Sequence, residues 1–331
     1  MKLPSARSLV RLAVAAGVTA YLLYKAHPGD VVAATAQAQL TPILIAIALV
    51  LVDRTLMAWR ALLLLRPFPA ANRVAFRDLM HVFFVSTFVG SFLPASVGAD
   101  AVRATGLARL QVPLPDAIAS VFMDRVLGVL AVLIMGVVGL TLAQDLPQRG
   151  LIVAGLAATG AACAAVSVLT FSTRGAAFIV AMLEKLPSEK LHRAGRALID
   201  AVRRYASCHG LLAWVLTCSI GVQILRIIQA YFLGRALGIE AGVDTYFAFI
   251  PIILIVMLLP ITINGLGTSQ AGFVALFAHA GVASAPAFAL SVLFVALGIV
   301  GNLPGGFLYL WQGLGPAAPP AAPISDPSHA R

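Results

Sequence analysis

The sequence predicts an all-α, polytopic membrane helix bundle of about six full spans plus two re-entrant helical hairpins, arranged as an inverted repeat. Three observations lead there. Apolar residues make up 60% of the 331 and charged residues only 11%, against roughly 45–50% and roughly 25% in soluble domains. The apolar residues gather in runs near the roughly 20 residues that cross a hydrocarbon core as a helix. Two runs are interrupted where a spanning helix would continue, by LPASVGADAVR (93–103) and LPITINGLG (259–267).

The first span covers about 9–24, behind Lys2, Arg7 and Arg11. No small-x-small cleavage site directly follows it, so it reads as a retained span rather than a signal peptide. An external loop with Asp30 leads to a second span, 40–65, which carries Asp53, Arg54 and Arg60. Arg60, beside Trp59, is near enough to the span end to snorkel. After a cytoplasmic loop with Arg66, Arg73 and Arg77, an apolar run, 76–92, stops at Pro94. Residues 95–112 contain Asp100, Arg103 and Arg109, and each charge at the bilayer centre costs about 2.5 kcal/mol or more. The two arms therefore form a hairpin that enters from the cytoplasm, turns at 94–98 and leaves on the same side.

A true span, 117–142, follows, with Asp124 and Arg125 in its first third. An external loop, 144–149, precedes the returning span 151–171. Segment 176–209 mixes Phe178, Met182, Leu186, Leu191 and Leu198 with Arg and Lys, which fits a cytoplasmic amphipathic helix pair broken near Pro187. Span 211–237 carries Gln223, Arg226 and Gln229. Residues 246–259 enter from outside, break at 260–267, and 271–282 lead back. The last span, 287–311, ends in the cytoplasm, and the Pro- and Ala-rich residues 316–331 are too biased to pack. One domain, 1–315, thus contains two halves of about 40–143 and 211–312.

Charge placement supports this path. Of 23 Lys and Arg, only Lys25, Arg149 and Arg235 fall outside, and sixteen fall on the cytoplasmic side. That satisfies the positive-inside rule and places a multi-pass protein in the cell (inner) membrane with both termini cytoplasmic. The net charge of +10 does not point to nucleic acid, because the basic residues lie in loops between apolar runs. Cys163, Cys208 and Cys218 have no paired spacing. His81 and His279 stand singly in apolar runs and read as core packing, so neither a metal site nor a cofactor is expected. No nucleotide-binding or hydrolase motif is present.

The halves align with each other. FLPASVGAD (92–100) lies over LLPITINGLG (258–267), Pro94 on Pro260, and PDAIASVF (115–122) over PAFALSVLF (286–294), at offsets of 166 to 171. One hairpin from each side makes the repeat inverted, and broken helices at the midplane supply a site open alternately to each face. Chance alignment of apolar sequence is the plainer alternative.

LPASVGADAVRATGL followed by DAIASVFMDRVLGVL resembles the transmembrane flippase region of the lysylphosphatidylglycerol synthase family. Pro94, Gly98, Asp100, Arg103, Asp124 and Arg125 match that pattern. LPITINGLGTSQAGF is similar to the family's GLG turn, with Ser269 and Gln270 where an Arg–Glu pair is usual. The resemblance covers roughly 40–312 and implies lipid transfer between leaflets. No polar domain follows Gln312, so the family's soluble aminoacyltransferase activity is not expected here.

Several residues could receive an anionic headgroup. Arg103, where the backbone leaves the first break, offers a planar fork to phosphate; a pair with Asp100 at i, i+3 is the structural alternative. Asp124 and Arg125 point about 100° apart on a helix, so Asp124 suits Arg103 and Arg125 suits a phosphate, unless both belong to a structural network. Arg226, flanked by Gln223 and Gln229, faces the bundle interior or a cavity. Asn264 and Gln270 offer amides at the second break, which Pro260, Gly265 and Gly267 create. The expected partner is a membrane lipid with an anionic headgroup, and a homo-oligomer is compatible with the sequence. A membrane-embedded transferase using Asp100 or Asp124 as base would need a metal–carboxylate cluster or a donor site. An accessory subunit would bind anionic lipid through its basic middle segment.

Overall fold

A computed structural model describes residues 21, 24, 28–91, 97–142, 149–183, 189–258 and 267–312. Most of the first expected span, the 316–331 tail, and Pro94, Pro260, Asn264 and Gly265 lie outside the described residues. The described chain is helical, without strands. Its helices are α1 (Pro28–Ala36), α2 (Leu40–Leu65), α3 (Phe76–Ser91), α4 (Val97–Arg109), α5 (Leu114–Leu142), α6 (Arg149–Phe171) and α7 (Thr173–Leu183). They continue as α8 (Glu189–Arg203), α9 (His209–Ala236), α10 (Val243–Leu258), α11 (Thr268–Ala278), α12 (Ser284–Val300) and α13 (Leu303–Gln312).

Prolines mark many of the starts. Pro28, Pro42, Pro115, Pro286 and Pro304 all sit in first turns, where a missing N–H and a fixed φ cost nothing. Two of these starts correct the sequence reading. The external loop with Asp30 contains α1, whose Val31 packs against Phe288 and Ala289 of α12. The last span is not one rod: it breaks at Gly301 and Asn302, and α13 begins at Leu303 with Pro304 in its first turn.

Among the described residues, five helical stretches are long and apolar enough to cross a membrane: Leu40–Leu65, Leu114–Leu142, Ile152–Phe171, His209–Ala236 and Ser284–Trp311. The hairpin arms are shorter. At 16, 13, 16 and 11 residues, α3, α4, α10 and α11 reach about 24, 20, 24 and 17 Å at 1.5 Å per residue. A hydrocarbon core of about 30 Å is too thick for any one of them. In the first hairpin the arms touch closely, since a Cβ on Gly90 would collide with Ala99 and one on Gly106 would meet Val82.

Specific contacts reveal how the halves relate. The backbone N–H of Gln39 donates to Ala236, Asp53 pairs with Arg226, and Arg60 bonds Ser219. Rising numbers on α2 meet falling numbers on α9, so the leading helices of the two halves run antiparallel. A shift of 166 positions takes Arg60 to Arg226 and Asp53 to Ser219; the two contacts are therefore mates under a two-fold exchange. The same shift takes Gly139 to Gly305. A Cβ on Gly139 would strike the carbonyl of Ala248 on α10, and one on Gly305 would strike the carbonyl of Phe84 on α3. In each half, the closing span thus lays a glycine directly on the other half's hairpin, a contact that tolerates no side chain.

Two apolar cores follow from this plan. One gathers Leu64, Phe68, Leu79, Met123 and Tyr205 around the first half. The other gathers Tyr246, Phe249, Phe273 and Phe277 around the second, with edge-on ring contacts between Phe277 and both Tyr246 and Phe249. The amphipathic segment forms the expected pair, α7 and α8, and anchors at the C-terminal end of α2. There the buried Tyr205 hydroxyl donates to the Leu64 carbonyl, and its ring meets Phe68 edge-on. Burial pushes the Tyr205 pKa up, so the hydroxyl stays a donor.

Candidate functional site

Asp53, Arg54 and Arg60 of α2 and Arg226 of α9 join Arg103 of α4 and Asp124 of α5 in two clusters along the α2–α9 contact. In the first, Asp124 on α5 is buried and uses both carboxylate oxygens. Arg60 Nε donates to Oδ1 at 2.7 Å, and Arg103 Nη1 donates to Oδ2 at 3.1 Å. Arg60 Nη1 also donates to Ser219 at 2.8 Å, and the Arg103 guanidinium lies 4.6 Å from the Phe83 ring centroid. All three ionised groups are at most 5% exposed. Charge-assisted bonds on both oxygens are the condition under which such a buried group is tolerated.

The second cluster centres on Asp53, which is 1% exposed. Arg54 Nη1 donates to Asp53 Oδ2 at 3.1 Å, whereas Arg226 Nε stands 3.7 Å from Oδ1. Arg54 also reaches the Gly298 carbonyl at 3.3 Å. Arg54 lies within electrostatic range of both Arg226 and Arg103, which joins the two clusters into one field. Among the described residues, four arginines, of which Arg54 and Arg226 are partly exposed, face two buried carboxylates there, an excess of positive charge.

The expected site residues divide accordingly. Arg103 meets Asp124, as its position suggested, and does not take the Asp100 partner at i, i+3. Asp100 instead accepts a two-pronged bond from Arg125, with Nε to Oδ2 and Nη2 to Oδ1 both at 2.8 Å, on a partly exposed surface between α4 and α5. Gln223 and Gln229 are buried on α9 beside the half-buried Arg226. Gln270 is buried and accepts from the Gly267 N–H and the Ser269 hydroxyl, capping the start of α11. Gly267 itself has φ of +88°, a conformation that favours glycine. Gly98 lies in the first turn of α4, two residues before Asp100. His81 is buried as expected, but His279 is exposed.

Sequence reasoning placed Arg60 wrongly. It does not snorkel; it is the best-bonded arginine of the bundle core. Its partners Asp124 and Ser219 are 64 and 159 residues away, beyond the reach of local pattern. A signal did exist, since Asp53, Met57 and Arg60 fall at i, i+4 and i+7 on one face of α2. An open groove of about 440 Å³ at the C-terminal end of α2, bordered by Arg66 and Trp214, involves none of these charges.

Antiparallel halves, paired short hairpins and a charged centre define a polytopic helical membrane protein with an inverted internal repeat. The family model described as lysylphosphatidylglycerol synthase TM region matches residues 8–305, and the chain belongs to that family. No curated protein matches the chain.

Proposed function

We propose that this protein moves a lipid with an anionic, phosphate-bearing headgroup between membrane leaflets, as a transporter without catalytic chemistry of its own. The observation that carries the reading is the excess of arginine over carboxylate where the two inverted halves meet, Arg54, Arg60, Arg103 and Arg226 standing against Asp53 and Asp124. An uncompensated charge in a low-dielectric interior costs several kcal/mol, roughly, unless a counter-charge visits it. The headgroup supplies that counter-charge while the acyl chains stay in the bilayer. Membership of a lipid-related family supports the same class of substrate. In this reading the protein resides in the cell (inner) membrane with N- and C-termini cytoplasmic.

Reconstitution into proteoliposomes with fluorescent phospholipids and lipid-linked sugars tests the activity. Transfer between leaflets should exceed that of empty vesicles for at least one phosphate-bearing lipid; no excess for any of them rejects the reading. For orientation, a cysteine placed at Asp244 should react with an impermeant maleimide in intact cells. One at Arg193 should react only after permeabilisation, and the reverse pattern inverts the topology.

A further inference from the structure

The two arginine clusters are unequal in how well they are satisfied, and the difference locates a receptor. Arg54 and Arg226 bring roughly ten N–H donors between them. Against these stand one carboxylate oxygen at bonding distance, the Gly298 carbonyl, and the Met57 sulfur, which Arg54 Nη1 and Arg226 Nη2 approach at 3.5 and 3.6 Å. A thioether is a weak acceptor. Arg54 Nε is buried without a partner, and so is Asp53 Oδ1, the oxygen that faces Arg226, whereas in the Asp124 cluster Arg103 Nε lacks a partner but both carboxylate oxygens are bonded. The Arg226 side chain remains 26% exposed, which leaves its fork open to an incoming group.

We propose that Arg54 and Arg226 together form the receptor for one phosphate oxyanion, with Asp53 holding both guanidiniums in place when the receptor is empty. This rests on the lipid-transfer reading and names the part of the site that touches the headgroup. Two planar forks match the oxygens of a phosphate. The sulfur of Met57 lies between them and gives up little on being replaced as an acceptor by oxygen. The repeat supplies an internal control. Arg60, the two-fold mate of Arg226, is bonded to Asp124 and Ser219 at 2.7 and 2.8 Å, so the same position serves structure in one half and recognition in the other. Arg54 reaches the end of α12 just before the last span breaks, with Nη2 on the Gly298 carbonyl and Nε beside Gly301. The unbroken α5 offers the other half no such opening.

The test is calorimetric titration of the purified full-length protein in detergent with dioctanoylphosphatidylglycerol, dioctanoylglycerol and inorganic phosphate. The phospholipid should bind saturably and dioctanoylglycerol should not. Arg54→Gln and Arg226→Gln should each weaken binding by about tenfold or more, as expected for a lost charge-assisted bond. Asp53→Asn should tighten it, because a competing negative charge is gone; a purely structural role for Asp53 would not produce that gain. Should Arg54→Gln fail to fold, Arg54→Lys, which keeps the charge but not the fork, should still weaken binding. Unchanged affinity in folded Arg226→Gln, or no saturable binding by the wild type, overturns the receptor. Inorganic phosphate binding as well as the phospholipid overturns a lipid source for the oxyanion. Transport that survives both arginine substitutions removes this receptor from the transport cycle and leaves transport standing. Selective binding by a protein that moves no lipid does the reverse.

Discussion

The Asp124 and Asp53 clusters lie about two helical turns apart on the α2–α9 contact, and each sets one buried carboxylate against two arginines. In the first, both carboxylate oxygens are bonded and Ser219 takes a further N–H of Arg60, leaving Arg103 Nε unpartnered. In the second, one carboxylate oxygen has no hydrogen bond and two guanidiniums share a sulfur. The two-fold exchange that relates Arg60 to Arg226 makes Asp53 the counterpart of Ser219, so composition at the paired positions differs by one charge. An inverted repeat does not force identical roles on its halves. Close, buried bonding makes the Asp124 cluster a clasp joining α2, α4, α5 and α9. Loose bonding leaves the Asp53 cluster able to exchange partners.

Removing each carboxylate in turn breaks or sharpens the contrast. Asp124→Asn strands two guanidiniums that are almost wholly buried, and should cost about 3–5 kcal/mol, the range for breaking one partner out of a buried ion pair. Loss of the monodisperse peak on size-exclusion chromatography, or a steep fall in melting temperature in detergent, is the expected readout. Asp53→Asn should cost less, about 1–2 kcal/mol, an ordinary value for a single substitution, because Arg226 is partly solvated and Arg54 keeps the Gly298 carbonyl. Equal losses in the two variants would make both clusters clasps and remove the distinction.

Much of this architecture is legible in the sequence because membrane spans are written in bulk composition. The long apolar runs became α2, α5, α6 and α9 with ends close to those expected. The short arms with charge or proline became the hairpins, and the alignment of Pro94 with Pro260 anticipated the 166-residue shift that relates their contacts. The break in the last span was missed, although GNLPGG (301–306) contains the glycines and the proline that cause it. That stretch has no charge, so it reads as apolar throughout. Helix α1 was missed because the residues around Asp30 read as an external loop, yet Pro28 and Gly29 open a helix that packs on α12. Charge pairing was legible only in part. Complementarity and proximity in sequence suggested Arg103 for Asp124. The Arg60 contacts depend on which face of α2 meets α9, and that is set by packing between halves rather than by any local pattern.

The smallest effect concerns Arg125, an expected headgroup ligand that the structure finds in a two-pronged pair with Asp100. Its side chain is 48% exposed, and a surface ion pair contributes about 1 kcal/mol or less. Arg125→Gln should therefore lower the melting temperature only slightly, and Asp100→Asn should do the same. A double-mutant cycle isolates the pair: if each residue acts through the other, the double variant loses little more than either single one. Transport separates pairing from recognition. If Arg125 only holds α4 against α5, both single variants should reduce transfer alike, in step with their stability. If Arg125 receives the headgroup, Arg125→Gln should abolish transfer at unchanged stability while Asp100→Asn, which frees the guanidinium, raises it. That second outcome would move the recognition site from the α2–α9 contact to the first hairpin, and the contrast between the two clusters would lose its functional half.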